Sequence, residues 1–480
     1  MTSRIRSTDR SGRATSAIWL SLFATLTSCS LTSSDDKVIS FGIGTQDTTT
    51  NTAAAGVVIR ELHLLDKYLP KAGAYAGKRI DVTWSNFTSG PPITNGMMAD
   101  KLQIGVMGDY PLIINSFTFE GNRDSRSRLI AIAAYNMAGS GNGILVNRTS
   151  PYYSLADLKG KTVSVPFGSA AQGMVSRALR VAGYGEDFFH LVNQAPEVGS
   201  TNLQQQKIDA HADFVPFPEL LPHRGFARKI YDGAEAGLPT FHGVTVRTDF
   251  AKKYPELVRA YLKAMLDAEA WIKADPKRAA EQIAKWTGTD KEVVYIYLGP
   301  GGIMTLDPTI KLPLIAAARE DAKSLQALGK IKSFDAEAWP DDSFLKGVYA
   351  ERGLDYAAQS RSTNTYEISG ADDFCRARIA NPRQAGELWL SNGAIKPYSS
   401  ASCTLAAYAD FVARGQSVDV AYVFDAKRGI KLFADEAFFV VASGVATPFM
   451  LKEDADAFAA RSGGKIMPFA DALKALHHAG

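Results

Sequence analysis

Apolar positions along the chain follow two rhythms. Residues 38–44 (Val-Ile-Ser-Phe-Gly-Ile-Gly) form a nearly continuous apolar run ending in glycines, the pattern of a buried strand. Val57, Val58, Leu62, Leu65 and Leu69 then recur mostly at three- and four-residue spacing, which predicts an amphipathic helix. Residues 80–84 and 102–107 read as the next strands, and 129–134, 143–146 and 162–165 continue the series before a helix over 171–182. Such strand–helix alternation predicts α/β layers around largely parallel sheets. From 251 to 287 the period turns helical, with Leu257, Tyr261, Met265, Ala268 and Ile272 on one stripe. The polar, aperiodic stretch 359–365 reads as a linker. The expected organisation is a domain over 38–352, a linker over 353–368 and a terminal unit over 369–476. In that unit 386–390, 395–398, 403–413 and 418–424 read strand, strand, helix, strand, and 429–433, 437–442, 453–461 and 465–469 repeat the order. A small α+β domain of duplicated ββαβ units is expected.

Charge adds the leader. The chain has 53 basic and 50 acidic side chains, and Arg4, Arg6, Arg10 and Arg13 against Asp9 account for the whole surplus of +3. The remainder is balanced, which excludes the concentrated basic face a nucleic-acid binder needs. An apolar run over 17–27, too short to span a bilayer, follows the arginines and closes with Leu26-Thr27-Ser28-Cys29. This ending resembles the bacterial lipobox. It implies a lipoprotein signal peptide over 1–28, lipidation at Cys29, a tether over 29–37 and work on the periplasmic or cell-surface side of a bacterial membrane.

Ligands of open α/β sheets sit beyond the carboxyl ends of strands. Gln46, Asp47 and Thr48 follow the first strand, Asn86, Thr88 and Ser89 the second, and Asp109 with Tyr110 the third. Ser169, Gln172, His211, Asp213 and Phe214 come from later strand ends, and His242 lies at the expected return crossover. Ser169 precedes a helix, so free backbone N–H groups there favour an anion, or Ser169 is an ordinary N-cap. Asp47, Asp109, Glu197 and Asp213 with the two histidines point instead to an amine, a cationic portion or a bound metal. Residues 139–143 (Gly-Ser-Gly-Asn-Gly) read as a hinge or a plain turn.

Three segments carry a family likeness: Ser154-Leu-Ala-Asp-Leu-Lys-Gly-Lys-Thr-Val163, Lys207-Ile-Asp-Ala-His-Ala-Asp-Phe-Val-Pro216 and Tyr254-Pro-Glu-Leu-Val-Arg-Ala-Tyr-Leu-Lys263. With them the first domain resembles the substrate-binding proteins of nitrate, taurine and aliphatic-sulfonate ABC importers. The resemblance implies a two-lobed, type II periplasmic-binding-protein-like fold, a small-molecule ligand in the cleft, a membrane permease as partner and no turnover. A cleft enzyme of the same fold is the alternative. Thiol catalysis there is excluded because residues 30–374 contain no cysteine, and His211 or His242 would have to serve.

The terminal unit resembles the NosL family of exported copper-binding accessory proteins through Phe374-Cys-Arg-Ala-Arg-Ile-Ala-Asn-Pro-Arg383, Ser402-Cys-Thr-Leu-Ala-Ala-Tyr408, Ala437-Phe-Phe-Val-Val-Ala-Ser443 and Asp454-Ala-Asp-Ala-Phe-Ala-Ala-Arg-Ser-Gly-Gly464. It departs from that family in its lone Cys375, where a Cys-x-x-Cys-Gly-Met opening is usual, and in Pro448-Phe449-Met450, where the methionine is displaced by one. The resemblance implies copper(I) held by Cys375, Cys403 and Met450. A Cys375–Cys403 disulfide and two unpaired thiols are the other readings of the cysteines. A copper-handling or metalloenzyme-assembly factor is thus a further function class.

Overall fold

Ten strands build the first domain in the computed structural model, which describes residues 37–363 and 366–477. The leader, Cys29 and most of the tether lie outside the described residues. The strands are β1 (Val38–Thr45), β2 (Arg79–Asn86), β3 (Ile104–Gly108), β4 (Ser127–Asn136), β5 (Asn142–Asn147), β6 (Thr162–Val165), β7 (His190–Asn193), β8 (Ala210–Phe214), β9 (Ala227–Asp232) and β10 (Thr240–Arg247). They form two sheets ordered β2-β1-β3-β10-β4 and β7-β6-β8-β5-β9. Within each sheet the strand arriving from the other lobe, β10 or β5, is antiparallel to both neighbours. The remaining pairs are parallel. Both lobes therefore repeat one topology, and each donates one strand to the other. Ile43, Ile104, Val106, Ala131 and Val244 are fully buried in the first sheet, in keeping with the apolar runs that mark it.

The chain crosses between lobes after β4 and after β9. Gly139 and Gly141 adopt φ of +98° and +109°, which side chains disfavour, and a Cβ at Gly139 would lie 2.3 Å from the Leu238 carbonyl oxygen of the other crossover. Asn136 Oδ1 accepts from the N–H groups of Ala138, Gly139 and Ser140 at 2.8, 2.9 and 3.1 Å. Ser140 Oγ donates to Asp232 Oδ2 and Asn142 Nδ2 to Thr240 Oγ1, so polar side chains cross-link the two connections.

Beyond β10 the helices Pro255–Ala274, Pro276–Thr287, Lys291–Leu298 and Leu312–Ala327 return to the first lobe. Tyr261 OH donates to Ala55 O at 2.6 Å, and Thr305 exchanges backbone hydrogen bonds with Tyr135 of β4. The segment expected as a linker instead contains the helix Tyr356–Arg361. It is tied down because Lys311 Nζ, buried, donates to Gln359 O at 2.7 Å, and Tyr349 meets Tyr356 edge to face.

The terminal domain opens with the short pair β11 (Ala371–Asp372) and β12 (Ala377–Arg378). Then come β13 (Gly386–Leu390), β14 (Ile395–Tyr398), the helix Ala401–Ala413, β15 (Val418–Phe424) and β16 (Lys431–Phe433). β17 (Phe438–Ala442), β18 (Val445–Phe449), the helix Lys452–Ser462, β19 (Lys465–Met467) and the helix Phe469–His477 complete it. The sheets are ordered β14-β13-β15-β16 and β18-β17-β19. The expected second unit began at residue 429, but Lys431–Phe433 edges the first sheet, and the second hairpin is β17–β18, turning at Ser443 and Gly444, both with positive φ.

This domain touches both lobes. Toward the second, Arg148 pairs with Glu436 at 2.7 Å and Arg428 with Glu235. Toward the helices of the first, Tyr295 OH donates to Glu387 Oε1 at 3.0 Å and Lys431 Nζ to Pro300 O at 3.0 Å. Among the described residues no helix is long and apolar enough to cross a membrane.

Candidate functional site

Three helix N-termini converge between the lobes. The helices Gly90–Met98 and Asp109–Glu120 start after Ser89 and Gly108 without a capping side chain at those positions. Pro91, Pro92 and Pro111 bring no N–H to their first turns and Tyr110 N already donates to Asp109 Oδ1, so the leading N–H groups of Gly90 and Asp109 are what these helix starts offer. The helix Ala170–Ala182 starts after Ser169, whose Oγ accepts from Gln172 N and donates to Pro166 O at 2.6 Å. The lobes are closed on each other here. The Tyr110 ring of one lobe lies so near Gly173 of the other that a Cβ would sit 2.6 Å from it.

Gln46, Gly90, Gly108, Pro111, Ser169, Ala170, Phe214 and His242 line a narrow pocket. No acidic or basic side chain other than His242 lines it among the described residues. Burial pushes the His242 pKa down to about 3, so the imidazole is neutral. Its Nδ1 lies 3.1 Å from Asn51 Nδ2. With the amide donating, the hydrogen-bond network assigns the ring proton to Nε2, which faces Gly108 at the pocket wall. Gln46 Oε1 and Asn51 Oδ1 are buried without a hydrogen-bond partner among the described residues. The pocket thus offers the free N–H groups of these helix starts, a neutral imidazole N–H and the Gln46 amide, whose unpartnered Oε1 is an acceptor, against an apolar wall, an environment for a small polar group.

Of the fourteen residues expected at the ligand, Gln46, Ser169, Phe214 and His242 line this pocket. The others have different employment. Asp47 takes Arg60 at 2.6 Å and Thr45 Oγ1 at 2.7 Å, and Asn86 Oδ1 accepts from Asp47 N, holding the loop after β1. Thr48 is half-buried on that loop, Thr88 is exposed and Ser89 stands at a helix start without capping it. Asp109 accepts from Tyr110 N, Thr240 Oγ1 and Phe241 N, bracing the return crossover. Tyr110 packs beneath Gly173, and Gln172 Oε1 accepts from Gly168 N.

His211 and Asp213 lie fully buried on the face of β8 toward the helix Pro196–Gln204. His211 Nε2 meets Asp213 Oδ2 and Nδ1 meets Ser164 Oγ, both at 2.8 Å. Burial raises the Asp213 pKa and His211 opposes the rise. The Ser–His–Asp connectivity is hydrolase-like, but the ring is closed over by Gly199, where a Cβ would sit 2.2 Å from Cε1, and a substrate has no approach. Of the carboxylates expected to favour a cationic ligand, Asp47, Asp109 and Asp213 are therefore consumed inside the protein, and Glu197 is exposed on the helix Pro196–Gln204. Gly90 follows the second strand, where a site residue is expected, whereas Gly108, Pro111 and Ala170 are not legible as site residues because they contribute backbone and shape. Glycine or serine just before each helix was the available signal.

In the terminal domain Cys375 and Cys403 form a disulfide. Asp372 lies beside them, with Oδ1 accepting from Phe374 N and Cys375 N and Oδ2 from Ser399 N and Oγ. Met450 stands apart from this pair. Its Sδ is 3.7 Å from Lys229 Nζ, at the interface with the second lobe.

Fold and pocket define a two-lobed α/β protein with a candidate pocket between the lobes. Residues 123–279 match the family model described as NMT1/THI5 like. A putative aliphatic sulfonates-binding protein of Bacillus subtilis (strain 168) is 27% identical over 282 residues, 58% of this chain and 81% of that protein. The taurine-binding periplasmic protein of Escherichia coli (strain K12) is 29% identical over 202 residues, 41% of this chain and 58% of that protein. Among solved structures, the alkanesulfonate-binding protein SsuA from Xanthomonas axonopodis pv. citri, bound to MOPS, superimposes with a TM-score of 0.51 at 19% identity, covering 64% of this chain and 97% of the other. The periplasmic nitrate-binding protein NrtA from Synechocystis PCC 6803 gives 0.50 at 14% identity, covering 68% and 92%. The mixed α/β fold of the first domain is that of the periplasmic sulfonate- and nitrate-binding proteins.

Proposed function

We propose that this chain is an extracytoplasmic substrate-binding protein that captures a small anion between its lobes and hands it to an ABC-type membrane importer. The observation that carries the reading is the pocket itself: the starts of three helices and a neutral imidazole meet at a lining that holds no acidic side chain among the described residues, the carboxylate of Asp109 at one of those starts being taken by Tyr110 N, Thr240 Oγ1 and Phe241 N. The relatives named as sulfonate- and taurine-binding proteins support an oxyanion of that class. Such a role suits a chain tethered through lipid at Cys29, with closure of the lobes as the signal the importer reads. The pocket favours binding over turnover, since the only buried Ser–His–Asp chain among the described residues is sealed from it.

Isothermal titration of the full chain with taurine, ethanesulfonate, nitrate and, as a cationic control, ethylamine tests this. Saturable one-to-one binding of at least one anion and none of ethylamine is expected. Binding of ethylamine alone, or chemical conversion of a bound anion, would overturn it.

A further inference from the structure

A second pocket, open to solvent on one side, lies where the terminal domain meets the second lobe. Pro218 and Pro222 wall it from the lobe, and Leu432, Phe433 and Met450 from the terminal domain. Two charged residues at its edge carry unused hydrogen-bonding atoms. Glu219, only 6% exposed, gives Oε1 to Lys229, while its Oε2 is buried with no partner among the described residues. Arg228 donates through Nη2 to Ser150 O and Tyr152 O at 2.9 and 2.6 Å, while its Nε is buried with no partner among the described residues.

Charge around these atoms is uneven in opposite senses. Lys229 serves two carboxylates, Glu219 and Asp232, so that end lacks a positive charge. Arg228 and Arg148 face the single carboxylate Glu436, so the other end lacks a negative one. An orphaned buried donor or acceptor destabilises the fold, and one molecule with an ammonium and a carboxylate would relieve both. Glu219, Arg228, Lys229, Lys431 and Glu436 also line the recess, so its apolar walls ask for an aliphatic or thioether body and its charged rim for polar ends, and a recess of this kind at a domain interface is a usual form of small-molecule site.

We infer that this interdomain pocket binds a small zwitterion with an apolar body, of the class of the aliphatic α-amino acids, with its ammonium at Glu219 and its carboxylate at Arg228. The occupant would touch the terminal domain and the second lobe together and so strengthen their contact. This site is separate from the interlobe pocket and takes a different ligand chemistry.

Titration of the full chain with L-leucine and L-methionine tests the assignment, with isovalerate and isoamylamine as single-headed controls. At least one amino acid should bind one to one, each control at least tenfold more weakly, and Glu219→Gln should weaken amino-acid binding at least tenfold. Met450→Trp should abolish it by filling the recess. If that variant does not fold, the methyl resonance of Met450 in methyl-labelled full chain gives the same answer, since it must shift along the binding curve. Absence of saturable binding up to about 10 mM, equal binding of a control, or binding that leaves the Met450 methyl unmoved would overturn the inference.

Discussion

Arg177 Nη1 donates to Asp321 Oδ1 at 2.8 Å, and the two side chains, 3% and 0% exposed, belong to opposite sides of the cleft. Arg177 lies on the helix that opens at Ser169, and Asp321 on the helix Leu312–Ala327, which packs against Asp109–Glu120 of the first lobe. The pair must part when the lobes do, so it acts on closure.

Burial pushes the Asp321 pKa up to about 7, against the pull of Arg177. Arg177→Met removes that pull and leaves a carboxyl that closes comfortably only when protonated. An acid whose pKa is raised in the closed state favours closure at low pH and loses that contribution as pH rises through the raised value. Arg177→Met should therefore bind anions within a fewfold of wild type at pH 5 and at least tenfold more weakly at pH 8. A pH-independent defect would show that the pair does not govern closure.

A carboxylate introduced at the pocket should defeat it. Ala170→Asp puts a negative charge in the first turn of a helix, which favours the helix itself while opposing an anion at its N-terminus. Anion affinity should fall at least a hundredfold by titration with the melting temperature little changed. Asp213→Asn should do the reverse: it disturbs the sealed Ser164–His211–Asp213 chain, costs about 1–3 kcal/mol in urea unfolding and leaves affinity within twofold.

That contrast marks what the sequence could show. Val38–Thr45 and its successors announce themselves because both faces of a parallel sheet are buried, and the crossover glycines at 139 and 141 sit where the chain leaves β4. Strand-end position singles out Gln46, Ser169, Phe214 and His242, which line the candidate pocket. Asp47 and Asp109 stand off it because their partners, Arg60 and Thr240, are 13 and 131 residues away and meet them only in the fold. His211 and Asp213 stand off it because β8 turns alternate residues to opposite faces, and only Phe214 at its end reaches the pocket. Residues 356–361 looked like linker since the helix there is short and is held by Lys311, an anchor distant in sequence.

His242 should make the protein acid-sensitive. Its pKa is about 3 when folded and about 6.5 when unfolded, so the unfolded chain binds the extra proton. The contribution is complete above pH 6.5 and is lost as pH falls toward 3, by up to about 1.4 kcal/mol per unit. His242→Gln removes this term. The stability difference between pH 7 and pH 5, measured by urea unfolding, should be smaller in the variant by about 2 kcal/mol. Identical pH dependence in both proteins would mean that His242 is not held neutral.

The disulfide closes a loop between residues 28 positions apart. Loop closure of that length is worth about 3–4 kcal/mol. Replacing Cys375 and Cys403 with serine should lower the urea midpoint of the terminal domain by that measure, with anion binding in the first domain retained. Loss of binding would show that the terminal domain's integrity is needed for the cleft.

The terminal domain's grip on both lobes leads to the last expectation. Its contacts with the first-lobe helices are buried and dense, with the Lys431 ammonium over the rings of Tyr295 and Tyr422 and donating to Pro300 O. Its contacts with the second lobe are more exposed ion pairs, Arg148–Glu436 and Arg428–Glu235, around a pocket. When the lobes separate, the second set is the one that gives. An exposed pair such as Arg148–Glu436 is worth up to about 1 kcal/mol, less in salt, whereas Arg428–Glu235 is more shielded. Arg148→Gln with Glu235→Gln should therefore raise the open population, read as a longer distance between spin labels on the two lobes of the anion-free protein. Anion affinity should fall roughly three- to thirtyfold, mainly through faster dissociation. Raising the ionic strength should move wild type toward the double variant and leave the variant nearly unchanged. An unaltered distance distribution would mean that the terminal domain rides on the second lobe without restraining it.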